Sequence, residues 1–101
     1  MPPTLLLIDD ELKIRTLLSR ILSYEGYEVL QAENLAQAGH LLETKPVDVI
    51  LCDVKLPDGN GLDFCLSVKQ QHPEWEIIML TAYGNVSDGV QAMKNGAFDY
   101  L

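Results

Sequence analysis

Asp9, Asp10 and Asp53 all follow short apolar runs: residues 5–8 lead into Asp9 and Asp10, and residues 47–52 lead into Asp53. A third run, residues 77–80, leads into Thr81. Converging carboxylates ask for a divalent cation. Hard carboxylate oxygens suit Mg²⁺, which takes one or two carboxylates, several waters and often a phosphate oxygen. An aspartate beside such a cation can act as a nucleophile in phosphoryl transfer, giving an aspartyl phosphate. Charge in the transferring group is spread over its oxygens, so metal clamping and positioning would supply most of the catalysis. Thr81 could donate its hydroxyl to a phosphoryl oxygen, and the small Ala82 leaves room beside it. Each residue alone is a weak signal, because an Asp after a strand is more often a cap or loop residue. The joint occurrence at three run ends, in order, carries the reading.

These residues meet only if the runs are parallel strands of one sheet. The chain alternates short β-rich runs with helical periodicity, the signature of βαβ units. Strands are expected at 4–8, 27–31, 48–52, 76–80 and 98–101. A first helix has Ile14, Leu17, Leu18, Ile21 and Leu22 spaced to line one face, with Asp10 as its cap and Gly26 as its terminator. A second starts at an Asn34 cap, uses Leu35, Ala38, Leu41 and Leu42, and ends before Pro46. Residues 55–61 read as a loop rich in turn chemistry. A third helix uses Leu62, Cys65, Leu66 and Val68 and stops by His72 and Pro73. A fourth has Val86, Val90 and Met93 inward and Gly89 in its interior, where glycine costs about 1 kcal/mol relative to alanine. The expectation is a doubly wound α/β fold with a five-stranded parallel sheet in the order 2-1-3-4-5. In that order strands one and three are neighbours at the topological switch point, where such sheets bind ligands.

Composition narrows the classes. The chain has 101 residues, which allows one domain, with 48% hydrophobic and 22% charged residues. A net charge of -8 argues against a nucleic-acid surface in this segment. No run approaches the roughly 20 apolar residues needed to span a membrane, and no signal peptide is visible, so a cytoplasmic protein is expected. Cys52 and Cys65 follow no metal spacing and read as free buried thiols. His40 and His72 lie away from the acids, and Trp75 is expected to pack at a loop edge.

Residues 7–11 (Leu-Ile-Asp-Asp-Glu), Asp53 with Lys55-Leu56-Pro57-Asp58-Gly59-Asn60-Gly61, Thr81-Ala82, and Gly96-Ala97-Phe98-Asp99-Tyr100-Leu101 together resemble the receiver domain of two-component response regulators. The CheY-like fold of that family has the strand order expected above. The stretches 78–84 and 92–97 are similar to receivers of the NtrC type, which usually precede an ATPase that activates σ54 RNA polymerase and a DNA-binding helix-turn-helix.

The resemblance implies roles for individual residues. Asp53 would accept phosphate from a sensor histidine kinase. Asp9 and Asp10 would hold Mg²⁺ together with Asp53, Asp10 directly and Asp9 partly through water, and the backbone carbonyl of Lys55 would be a further ligand. Thr81 would swing toward the phosphoryl group, and Tyr100 would rotate inward behind it. Ala82, Lys55 and Tyr83 would flank the pocket. The chain would not be an enzyme in its own right but would assist its own Mg²⁺-dependent phosphorylation and dephosphorylation. Its partners would be the kinase, an output domain in cis or a separate protein, and a second copy in a homodimer. Two features depart from the family pattern. A lysine is expected two residues beyond Leu101, followed by a fifth helix, so residues 1–101 read as a receiver incomplete at its carboxyl end. Asn60 stands where Asp is common.

Other readings use different chemistry. A stand-alone receiver would act by phosphorylation-dependent protein binding, and a pseudo-receiver would mediate contacts only. A small-molecule enzyme on a flavodoxin-like fold is disfavoured because Asp9-Asp10-Glu11, rather than a glycine-rich loop, follows strand one and would repel a cofactor phosphate.

Overall fold

The computed structural model describes residues 2–80 and the backbone of residues 98–100. The main strands are β1 (Thr4–Ile8), β2 (Glu28–Ala32), β3 (Val49–Asp53), β6 (Glu76–Leu80) and β7 (Phe98–Tyr100). They form one parallel sheet in the order β2-β1-β3-β6-β7, the 2-1-3-4-5 arrangement expected from the sequence. Helices α1 (Leu12–Tyr24), α2 (Leu35–Thr44) and α3 (Gly61–Gln71) make the crossovers. The expected fourth helix, with Val86, Gly89, Val90 and Met93, lies outside the described residues.

Alternation along each strand separates two cores, because successive side chains point to opposite faces. Leu6, Ile8, Ile50, Cys52, Ile77 and Met79 face α2 and α3, where Leu41, Leu42, Phe64 and Trp75 pack on them. Leu5, Leu7 and Leu51 face the other way, against Leu18 and Leu22 of α1. Strands covered on both faces read as continuous apolar runs, which is why the three runs were visible in the sequence.

Local chemistry sets the helix ends. Asn34 caps α2 by accepting from the Gln37 amide at 2.8 Å. Gly26, at φ 102°, follows α1. Its amide donates to the Ser23 carbonyl and the Tyr27 amide to the Leu22 carbonyl, so two carbonyls of the last turn are satisfied. Asp10 is not the cap of α1. That position is Glu11, with no side-chain cap, and the Asp9 carboxylate takes the Glu11 amide at 2.9 Å. The periodic face of α1 is covered only in part. Leu17 and Ile21 are exposed, while Leu18 and Leu22 reach the sheet, because a single helix on a sheet presents only one stripe to it. Residues 55–61 hold more order than a loop. Lys55–Leu56 (β4) and Gly59–Asn60 (β5) pair antiparallel before α3 begins.

Candidate functional site

The register of the sheet assembles the acids. Ile8 pairs with Cys52, so one residue further on Asp9 stands beside Asp53 at the carboxyl edge. A carboxylate oxygen from each of Asp9, Asp10 and Asp53 lies within 4.8 Å of the other two. Asp9 and Asp53 are buried, and Asp10 is exposed at the rim. The sequence placed this trio correctly.

Asp9 and Asp53 are each held through the backbone. Asp9 donates its amide to the Ala32 carbonyl at 3.1 Å, and its own carbonyl accepts from the Arg15 guanidinium at 2.8 Å. Arg15 also reaches the Gln31 side chain at 3.2 Å, which donates to Ser19. The Asp53 carboxylate accepts from the backbone amides of Lys55 and Val54. Burial, and then the Asp9 and Asp10 charges, push the Asp53 carboxyl above the ordinary aspartate value despite those amides.

Crowded oxygens with a raised carboxyl among them are a donor set that a hard divalent cation would relieve, so the residues present fit Mg²⁺. Asp9, Asp10 and Asp53 would hold it, and it would supply charge neutralisation for an incoming phosphoryl group.

Below the site the packing is close. The Gly61 amide donates to the Val54 carbonyl at 2.7 Å. A Cβ on Gly61 would overlap the Asp53 carbonyl and approach the Cys52 sulfur to 2.9 Å. Cys52 and Cys65 are both buried free thiols, as expected. His72 caps the end of α3 and stacks on Trp75 with ring centroids 3.8 Å apart, away from the acids.

Thr81, Ala82 and Tyr83 lie outside the described residues. The backbone of Tyr100 pairs with Met79 in the sheet, and its side chain is likewise outside them. Asp53 pairs with Leu80, so Thr81 follows directly on the residue beside Asp53. Two contributors escaped the sequence reading. Arg15 carries no local signal, because its partner is a carbonyl on another element. Gly61 had a faint one: glycine at the first position of a helix is a poor helix former.

The chain matches the response regulator receiver domain over residues 5–101 and belongs to that family. Its similarity is to receivers of the NtrC type. The response regulator protein PilR of Pseudomonas aeruginosa is 43% identical over 96 residues, covering 95% of this chain and 22% of that protein. The DNA-binding transcriptional regulator NtrC of Escherichia coli K12 is 37% identical over 94 residues, covering 93% of this chain and 20% of that protein. The chain therefore spans about a fifth of the length of these relatives. Among solved structures, a response regulator of Burkholderia pseudomallei, described with a phosphorylated aspartic acid, calcium ion and citrate, superposes with a TM-score of 0.89 at 33% identity. That match covers 98% of this chain and 58% of the other. Among the described residues, no helix is long and apolar enough to cross a membrane.

Proposed function

We propose that Asp53 is the phosphoacceptor of a two-component phosphorelay, charged by a sensor histidine kinase with Mg²⁺ held among Asp9, Asp10 and Asp53. The observation that carries this reading is the carboxylate trio at the ends of β1 and β3, with Asp53 the member on β3. In the transfer, an Asp53 carboxylate oxygen forms a bond to phosphorus as the phosphorus–nitrogen bond of a phosphohistidine breaks. The imidazole leaves with the electron pair and takes a proton. Two backbone amides already aimed at the Asp53 carboxylate orient it, and burial keeps bulk water from competing.

The phosphoryl group adds roughly -1.5 to -2 charge at the sheet edge, which suffices to bias a neighbouring two-state element. Thr81 and Tyr100 are the residues we assign to that response. The relative NtrC is a DNA-binding transcriptional regulator, which supports control of transcription through an output domain on the same chain.

Incubation with Mg²⁺ and a small acyl phosphate, read by intact mass, tests the reading. It uses a chain that includes the lysine implied beyond Leu101. One phosphoryl group should be gained, and none in Asp53→Asn. No gain in the unsubstituted protein would refute the assignment.

A further inference from the structure

The hairpin that follows the acceptor strand is anchored from a distance. Asp58, in the turn between β4 and β5, lays its carboxylate across the start of α2. Its Oδ1 accepts from the Leu35 amide at 2.9 Å and its Oδ2 from the Ala36 amide at 3.0 Å. A helix begins with unpartnered amides. Here Asn34 takes the Gln37 amide, and the two amides before it go to a residue more than twenty positions away in sequence. The positive end of the helix suits a carboxylate. The Leu35 amide first, and the Ala36 amide after it, keep the Asp58 carboxyl more acidic than an ordinary aspartate.

A second contact seats the same turn. Gly59, at φ 154°, lies so close to α2 that a Cβ on it would stand 3.0 Å from Leu35 Cδ1. At its open end the Gly61 amide donates to the Val54 carbonyl, closing the hairpin between the residue after β3 and the first residue of α3. Lys55 therefore lies on a two-residue strand pinned at both ends, and it pairs with Asn60.

We propose that Asp58 is a positioning residue for the cation site: its clamp on α2 holds the hairpin that begins two residues after Asp53, and so sets how well Asp9, Asp10 and Asp53 retain a divalent cation. This inference rests on the metal reading of the acidic cluster. It links the start of α2 to the cation through one rigid connection, so cation binding and order at Leu35 and Ala36 are coupled in both directions.

Mn²⁺ titration of the protein, followed by electron paramagnetic resonance, tests it. Asp58→Ala should bind Mn²⁺ roughly tenfold more weakly, the lower end of the effect of outer-shell support at metal sites. Asp58→Asn, which keeps one acceptor, should fall between. Asn34→Ala removes the other cap of α2 without touching the hairpin and should bind as the unsubstituted protein does. Mg²⁺ should slow hydrogen exchange at Leu35 and Ala36 in the unsubstituted protein and not in Asp58→Ala. Unchanged affinity in Asp58→Ala, or an equal loss in Asn34→Ala, overturns the proposal while leaving the metal reading intact. If Asp58→Ala does not fold, unchanged affinity in Asp58→Asn overturns it. No Mn²⁺ binding by the unsubstituted protein would sink the metal reading and this inference with it.

Discussion

Gly61 stands directly against Asp53: the first residue of α3 has no room for a side chain because the Asp53 carbonyl occupies that space. The fit is steric rather than conformational, since the nearest atoms are main-chain atoms of Asp53 and the buried Cys52 sulfur. The end of β3, the hairpin and the start of α3 are thus packed as one unit beneath the acids.

Gly61→Ala should therefore destabilise the fold by about 1–3 kcal/mol, the usual cost of forcing extra atoms into a packed interior. Urea unfolding would show it as a lowered midpoint with an unchanged slope. A midpoint equal to that of the unsubstituted protein would mean that β3 and α3 separate freely.

The raised carboxyl of Asp53 makes stability depend on pH in a definite direction. Its protonated form favours the fold. That contribution is complete below the unfolded value near 3.8 and is lost as pH rises through the higher folded value. At neutral pH the charged Asp53 is thus a liability, and Asp53→Asn should melt at a higher temperature without added cation. Each 1 kcal/mol gained would read as roughly 4–8 °C in a domain of this size. The gap should close as pH falls below the carboxylate range.

Mg²⁺ should reverse that order. A ligand bound only by the folded state at about 100 times its dissociation constant stabilises by roughly 2.7 kcal/mol. The melting temperature should rise with Mg²⁺ and fall back on chelation in the unsubstituted protein. In Asp10→Asn, which removes the exposed member of the trio, most of the rise should vanish. An equal rise in that variant would place the cation elsewhere.

Cys52 and Cys65 should be inert in the native state. Both are fully buried, and hydrogen bonding to Cys65, followed by burial, pushes the Cys52 thiol well above its ordinary value. A disulfide reagent at mildly alkaline pH should label neither cysteine in the folded protein and both in denaturant. Labelling of Cys52 in the folded state would show that β3 opens.

Much of this site was legible because its carriers are local. Buried parallel strands demand unbroken apolar runs, and the residues that end those runs emerge at one edge, which placed Asp9, Asp10 and Asp53 together. Asn34 and Gly26 were legible for the same reason, since caps depend on a few adjacent residues. Asp10 was misread as a cap because an aspartate before a helix ordinarily is one. Leu17 and Ile21 share the periodic face of α1 yet are exposed, because periodicity gives a face but not what covers it.

The sequence alone determined the order of strands and helices, the apolar pattern of the two cores and the identity of the acids, because these follow from spacing along the chain. Only the tertiary structure decided what surrounds the acids and the hairpin that follows them. Arg15 on the Asp9 carbonyl, Asp58 on the start of α2 and Gly61 beneath Asp53 are contacts between separate elements. Their partners are backbone atoms, which are alike in every residue and leave no trace in a side-chain pattern. Whether an aspartate in a turn faces water or clamps a helix depends on where packing brings that helix.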